Sequence, residues 1–516
     1  MELADFYFGQ ILRIYPRRNH SRDRCVLLNS DMKTQVILLL FLFAMNTAWS
    51  QHLAERVDNV EKGLTYPMTV DAGKEIVKAT INERLKVNKI HGASVAVIND
   101  GKIEWSRAYG VKEAGNTDPV TTETVFQCAS IGKVITALAV LKLVEDGAVD
   151  LDEDVNNKLK RWRIKENENT EIQKVTLRHL LSHSAGLTDD YGFLGYGPKD
   201  EIPSLLQILN NDFPSKAKKI LEIKTIPGVV ERYSGGGYLI IQMLIEEISG
   251  SSFANYIQQQ VFDPLKMVNS TYDYRPDKHH NISIAAGHRS NGKPLKNRKY
   301  NIYPEAAAAG PWTTAEDLAR LIIGIQDAFH GKTNAILKKE AVQQLLKAQI
   351  NNKGLGVNLK GIEQAEAFWH AGQNLGYTAL LYGLTEKGKG AVVLLNSDGG
   401  ERVMQEFITS VAIEYNWPVM KTYKSLEIPT EVQKRLAGRY VSANQSKELS
   451  IEQIKGTLIV KPSDSKKGHQ LYRIGDNHYT FKNAQDYYKL SFDLNKNPKL
   501  VYTESIGKTI VLEKTK

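Results

Sequence analysis

The chain has 516 residues, 42% hydrophobic and 24% charged, an ordinary globular composition that predicts two or three domains and excludes a disordered or fibrous protein. Its 67 Lys and Arg against 58 Asp and Glu give a net charge of +9, which is mild over this length. No basic stretch is interleaved with aromatic residues, which excludes a nucleic-acid groove and leaves a solvated surface with weak attraction to anionic cell-wall polymers.

Residues 32–50 begin with Met32-Lys33, continue as the apolar run QVILLLFLFAM and end with small residues at Ala48 and Ser50. This is the pattern of a secretory signal peptide, too short to span a bilayer. Signals open chains, so residues 1–31 read as an over-extended start with Met32 as the initiator. The rival is an uncleaved anchor whose Arg-rich tail obeys the positive-inside rule. The expected product is periplasmic or secreted, with no stable membrane span after cleavage. Of the two cysteines, Cys25 is lost with the signal, so Cys128 has no internal partner. Two residues before Ser130, it reads as a small packing hydrophobe rather than a thiol nucleophile.

Ile76, Val77, Ala79, Ile81 and Leu85 are spaced for one buried face and predict a helix over 71–90. ASVAVINDGKIEWSRAYG, residues 93–110, predicts a β-hairpin turning at Asn99-Asp100-Gly101. The stretch FQCASIGKVITALAVLKLVEDGAVDLDEDV, 126–155, then places Ser130 at the mouth of a helix that is apolar nearly all round and ends at Gly147. Lys133 lies three residues on, on the same helix face. A helix N-terminus and an adjacent amine together turn an inert hydroxyl into a nucleophile.

Ser-x-x-Lys is weak evidence by itself, because it recurs at Ser30/Lys33, Ser290/Lys293, Ser463/Lys466 and Ser505/Lys508, the last again as SIGK. Ser505 lies between two β-branched runs, where Gly507-Lys508 reads as a hairpin turn. Only Ser130 opens a buried helix.

Residues 151–370 read as mostly helical, broken by loops rich in Gly, Asn and Asp. GYTALLYGLTEKGKGAVVLLNSD, from Gly376, predicts a second hairpin turning at Glu386 to Gly390, followed by a helix from Glu401 to Tyr415. Two hairpins bracketing a helical middle imply one antiparallel sheet assembled from both ends, an α+β arrangement. Residues 421–430 read as a linker, and the short alternating strands of 431–516 predict a small all-β sandwich or barrel. No metal-ligand cluster or cofactor motif is found, so no metal or organic cofactor is expected.

A nucleophile needs a second basic or phenolic group and an oxyanion hole. Tyr233-Ser234-Gly235-Gly236-Gly237-Tyr238, before the helix YLIIQMLIEEISG, offers a phenol and three glycines of the kind kept where backbone comes close to something; the bland reading is a tight loop. Trp369-His370-Ala371-Gly372-Gln373 leads into the strand from Tyr377. His370 taken alone reads as a strand-edge polar residue.

Taken in order, CASIGK and its helix, LRHLLSHSAGL (177–187), RYSGGGY (232–238), ISGSSFANYI and VFDPLKM (248–267), AAAAGPWTTAEDLARL (306–321) and WHAGQNLGY (369–377) resemble the serine β-lactamase and penicillin-binding peptidase superfamily. The likeness is to its class C β-lactamase branch with esterase and D-aminopeptidase relatives, over residues 65–420. It implies a β-lactamase/transpeptidase-like antiparallel sheet with an inserted helical region. It implies Ser130 as the acylated nucleophile, Lys133 as the amine that deprotonates it and Tyr233 as the proton shuttle to the leaving group. The backbone amides of Ser130 and Gln373 become the oxyanion hole, with His370 and Gly372 lining the edge strand along which the acyl part lies. His183 reads as structural rather than catalytic.

Two departures bear on substrate. Gly235 stands where the family's β-lactamases and peptidases carry an amide-binding Asn, and His370 where they carry a carboxylate-binding Lys; a neutral imidazole is the weaker anchor. The resemblance therefore implies an exported acyl-enzyme hydrolase of amides, peptides or esters, a D-amino-acid peptidase or esterase ahead of an efficient β-lactamase. Its substrate is a small molecule, peptide or ester, with cell-wall fragments among the candidates. The rival from another class is an inactive binding or scaffold descendant. The C-terminal β region resembles small barrels that cover the active-site mouth in such hydrolases.

Overall fold

The computed structural model describes residues 50–187, 193–212, 221–279, 282–361, 365–445, 447–463, 467–482, 488–493, 498–504 and 509–515. It divides into two compact units, Met1–Arg56, of which residues 50–56 are described and helical, and Val57–Lys516. The expected start, residues 1–31, and all of the expected signal, residues 32–50, except Ser50 lie outside the described residues, as does the second SIGK at 505–508. Among the described residues no helix is long and apolar enough to cross a membrane.

The first hairpin forms as its turn residues dictate. Strands β1 (Gly92–Asn99) and β2 (Lys102–Gly110) pair antiparallel around Asp100-Gly101, whose φ values of 51° and 71° match strand twist and suit these two residue types. The helix expected over 71–90 is shorter. Helix α1 spans Ile81–Val87, because Thr80 and Glu83 form a reciprocal capping box that starts it there, while Val77 is 75% exposed and Ala79 bridges to Leu64.

Helix α2 (Gly132–Glu145) follows a short 3-10 turn at Ala129–Ile131 and ends at Gly147, whose φ of 71° is the left-handed cap. All but three of its residues are buried, as a helix apolar on every side requires. Between α2 and the second hairpin the chain is less helical than expected. Among the described residues of this stretch, the α-helices that run beyond two turns are α3 (Gly236–Ser249) and α4 (Ala315–Phe329), and loops join the short helices around them.

The sheet is assembled from both ends of this unit. Strands β3 (Asn358–Lys360), β4 (Ala367–Asn374), β5 (Tyr377–Leu384) and β6 (Gly390–Leu395) join β1 and β2 in the order β2-β1-β6-β5-β4-β3, antiparallel throughout. Local pattern found the β5–β6 hairpin but not β3, and WHAGQ, given an edge strand only through the family resemblance, lies in β4. Strand alternation puts Ala379, Leu381 and Gly383 toward α4 and Thr378, Leu380 and Tyr382 toward helix α5 (Glu401–Glu414). Both faces are thus covered, and β1, β5 and β6 are buried along almost their whole length.

The segment read as a linker contains a two-residue strand, Tyr423–Lys424, paired in parallel with Thr69–Val70. After helix α6 (Thr430–Leu436) the chain closes an eight-stranded antiparallel barrel, β7 to β14, from Gly438 to Lys514. Tyr440, Tyr479, Phe492, Ile451 and several Leu residues fill its interior, and Leu436 of α6 is buried in the same core. The last hairpin pairs Thr503 with Thr509, so the strands flanking the second SIGK run antiparallel.

Candidate active site

Ser130 stands on the tight turn ahead of α2. The preceding Ala129 has a φ of 49°, a left-handed value that costs a non-glycine residue roughly 1–3 kcal/mol and is kept where geometry demands it. Lys133 is only 1% exposed, and its Nζ donates to Ser130 Oγ at 3.1 Å and to the Ala308 carbonyl at 2.7 Å. A buried amine requires such partners. The Ala306–Ala309 turn that supplies this carbonyl is fixed from two helices, by Gln242 Oε1 accepting from Ala307 N–H at 3.1 Å and by Thr136 Oγ1 donating to the Ala307 carbonyl at 3.1 Å.

Tyr233 completes the group: its hydroxyl donates to Ser130 Oγ at 2.9 Å, and Lys133 Nζ lies 5.0 Å from its ring centroid. His183 backs the same ring at a centroid distance of 4.3 Å. Its Nδ1 accepts from Ser234 N–H at 3.1 Å, so the imidazole proton sits on Nε2. Burial, reinforced by the charge of Lys133, holds its pKa well below the usual value. His183 thus touches the Tyr233 phenol ring and ties down its loop.

Strand β4 brings the third motif alongside. His370 is 4% exposed, and its Nδ1 lies 2.7 Å from the Ala371 carbonyl; a carbonyl only accepts, so Nδ1 carries the proton and Nε2 is bare. Burial, then the charge of Lys133, pushes its pKa down to about 3, leaving a neutral ring at physiological pH. Gly372 has a steric reason to be glycine: a Cβ there would overlap the Cys128 carbonyl oxygen and stand 3.2 Å from Ser130 N. The Gln373 side chain is exposed and donates from Nε2 to the Asp398 carbonyl at 3.1 Å.

Ser130, Lys133, Tyr233, His370, Gly372 and Gln373 line one cavity of about 660 Å³. Gly235 does not line it. It is buried at the N-cap of α3 with a φ of −74°, and the glycine run serves packing: a Cβ on Gly237 would meet Ser234 Oγ at 3.2 Å and Leu187 at 3.4 Å. β3 pairs with β4 only at Ala367–Trp369, so among the described residues the outer edge of β4 from His370 onward has no strand beside it.

Cys128 is fully buried, and desolvation pushes its thiol far up in pKa, away from nucleophilic use. Of the competing Ser-x-x-Lys patterns, Ser290–Lys293 falls in a reverse turn closed by Arg289 N–H to the Lys293 carbonyl at 2.8 Å, and each of the others includes residues outside those described. Lys353 and Phe193 also line the cavity, and sequence reading missed both, because each lies in a loop with no periodic or motif signal.

The family model described as Beta-lactamase matches residues 77–412, which contain every one of these residues. The chain belongs to the Beta-lactamase family. Its members are, in general, serine hydrolases, and the β-lactamase-like sheet with inserted helices and C-terminal barrel is the fold seen here. Among curated relatives, the teichoic acid D-alanine hydrolase of Staphylococcus aureus is 26% identical over 281 residues, 52% of this chain and 65% of that protein. Protein flp of Staphylococcus aureus (strain N315) is 24% identical over 257 residues, so the chain spans about half, 49%, of that relative's length. Among solved structures, the octameric penicillin-binding protein homologue from Pyrococcus abyssi superposes with a TM-score of 0.54 at 21% identity, covering 84% of this chain and 98% of that one. This last likeness is one of fold.

Proposed function

We propose that this Beta-lactamase-family protein is an exported serine hydrolase that acylates Ser130 and deacylates it with water, acting on esters or amides of D-amino acids. The observation that carries the reading is the position of Ser130 Oγ, which takes hydrogen bonds from both Lys133 Nζ and Tyr233 OH beside an open strand edge. The Ser130 proton passes into the Lys133–Tyr233 pair, with Lys133 Nζ held in place by the Ala308 carbonyl, and the Tyr233 phenol delivers a proton to the leaving group and recovers one through Lys133. The amides of Ser130 and Gln373 bind the oxyanion, a contribution of about 10²–10³ in rate per donor. The name of the teichoic acid D-alanine hydrolase supports the D-amino-acid ester as substrate class.

Labelling with a fluorophosphonate followed by mass mapping tests the reading. Modification at Ser130 that vanishes in Ser130→Ala supports it; no labelling of the native protein overturns it in favour of a binding descendant. In a substrate panel, D-alanyl esters and short p-nitrophenyl esters turn over faster than a chromogenic cephalosporin or D-Ala-D-Ala peptides. Rapid cephalosporin hydrolysis contradicts the substrate class.

A further inference from the structure

The charges around the cavity are unbalanced. Among the described lining residues, Lys133, Lys353 and Lys360 face a single carboxylate, Glu401, and His370 contributes no charge. The three lysines are not equivalent. Lys133 is engaged with the nucleophile and the Ala308 carbonyl. Lys360 is at the far side of β4, where its Nζ lies 3.0 Å from Met420 Sδ.

Lys353 is held differently. It closes a turn through bridges to Ile350 and Asn358, with its N–H on the Ile350 carbonyl at 2.9 Å. Its side chain is 16% exposed, its Nζ donates to Asn358 Oδ1 at 2.5 Å, and Glu231 Oε1 lies 3.3 Å away. Glu231 stands two residues before Tyr233, and its other oxygen accepts from Asn351 Nδ2 at 2.8 Å. The ammonium is thus anchored to the Tyr233 loop on one side and to β3 on the other. Among the described residues two of its three protons have these acceptors, which leaves one for a ligand in the cavity. Its charge also contributes to the depressed pKa of both His183 and His370, as a cation close to the reacting centre must.

We propose that Lys353 is the specificity-determining cation of this site, receiving a carboxylate or phosphate oxyanion on the substrate, with Glu231 fixing its position and tempering its charge. The proposal rests on the reading of the Ser130 cavity as an acyl-transfer site and adds the chemistry of the group beside the scissile bond. A charge-assisted hydrogen bond in a partly desolvated site changes selectivity by roughly tenfold to a hundredfold.

The test uses matched pairs of esters, phenyl acetate with 4-acetoxybenzoate and O-D-alanyl glycerol with O-D-alanyl glycerol phosphate, and reads the anionic-to-neutral ratio of kcat/KM. The native ratio favours the anionic partner in at least one pair and falls as salt is raised. Lys353→Met lowers that ratio at least tenfold, Lys353→Arg keeps it within about threefold, and Glu231→Gln raises it. Which pair responds separates carboxylate from phosphate. An unchanged ratio in Lys353→Met, or equal losses for both partners with no rescue by Arg, overturns the proposal. If no ester is turned over and Ser130 is not labelled, the hydrolase reading has failed separately. Calorimetric titration with 4-hydroxybenzoate and glycerol phosphate then decides for Lys353: tighter binding to the native protein than to Lys353→Met upholds it, and equal binding refutes it.

Discussion

His370 and Glu305 are both buried near the reacting centre and respond to pH in opposite senses. For His370, burial depresses the pKa to about 3, so between about pH 3 and the ordinary value near 6.5 the unfolded chain takes up a proton that the folded one refuses. Its stabilising share is complete above about 6.5 and lost as pH falls through that window, at most about 5 kcal/mol. His370→Asn should accordingly melt closer to the native protein, or above it, at pH 4 than at pH 7. Glu305, 5% exposed ahead of the Ala306–Ala309 turn, has its carboxyl raised to about 7 by burial. Here the folded state holds the proton longer, so its share is full below the ordinary carboxylate pKa and is lost as pH rises toward 7, at most about 3 kcal/mol. Glu305→Gln should gain thermal stability relative to the native protein at pH 8.5 and lose that advantage at pH 4.5. Parallel Tm curves for variant and native protein across this range would refute the assignment for either residue.

At the scale of elements, strand β4 is what turns a helix with a serine into a site. Its approach to the Ala129–Ile131 turn depends on Gly372, since any Cβ meets backbone rather than a flexible side chain. Gly372→Ala should displace β4 from Ser130 and slow fluorophosphonate labelling about a hundredfold, while far-ultraviolet circular dichroism stays native; labelling at the native rate would show that the close approach is not needed. This element was only half legible beforehand. The α2 helix could be read because the apolar residues from Val134 to Val144 leave no polar face, and the hairpins because Asp100-Gly101 and the Glu386–Gly390 turn are chemically explicit. In β4 the alternation is broken by His370 and Gly372, residues chosen for the site rather than for the strand, so local pattern gives no strand signal. The overlong α1 had the reverse cause: Ile76 and Val77 kept the helical period while the Thr80 capping box set the start. Lys353 was invisible because NNKGLG is simply a polar turn, and only tertiary folding carries its ammonium to the cavity.

At the scale of the molecule, the barrel and the β-lactamase-like region keep separate cores and meet along a seam of backbone bonds. Leu426 N–H donates to the Arg473 carbonyl at 2.8 Å, and Thr69 N–H donates to the Lys482 carbonyl at 2.7 Å. The parallel pairing of Thr69–Val70 with Tyr423–Lys424 uses the carbonyls of Met68 and Val70 instead, accepting from Tyr423 and Ser425 N–H at 3.0 and 2.9 Å. Thr69→Pro therefore deletes the bond to the barrel and leaves the neighbouring pair its acceptors, in an extended segment where proline's φ is tolerated. Tyr66 and Pro67, just upstream, form part of the cavity wall, so loosening this seam should reach the substrate site. The expected result is a separate, lower calorimetric transition from the barrel and a several-fold rise in KM, with Ser130 labelling at its native rate because the nucleophile and its partners lie on other elements. A single transition at the native Tm with KM unchanged would mean that side-chain packing, not this bond, couples the barrel to the cavity.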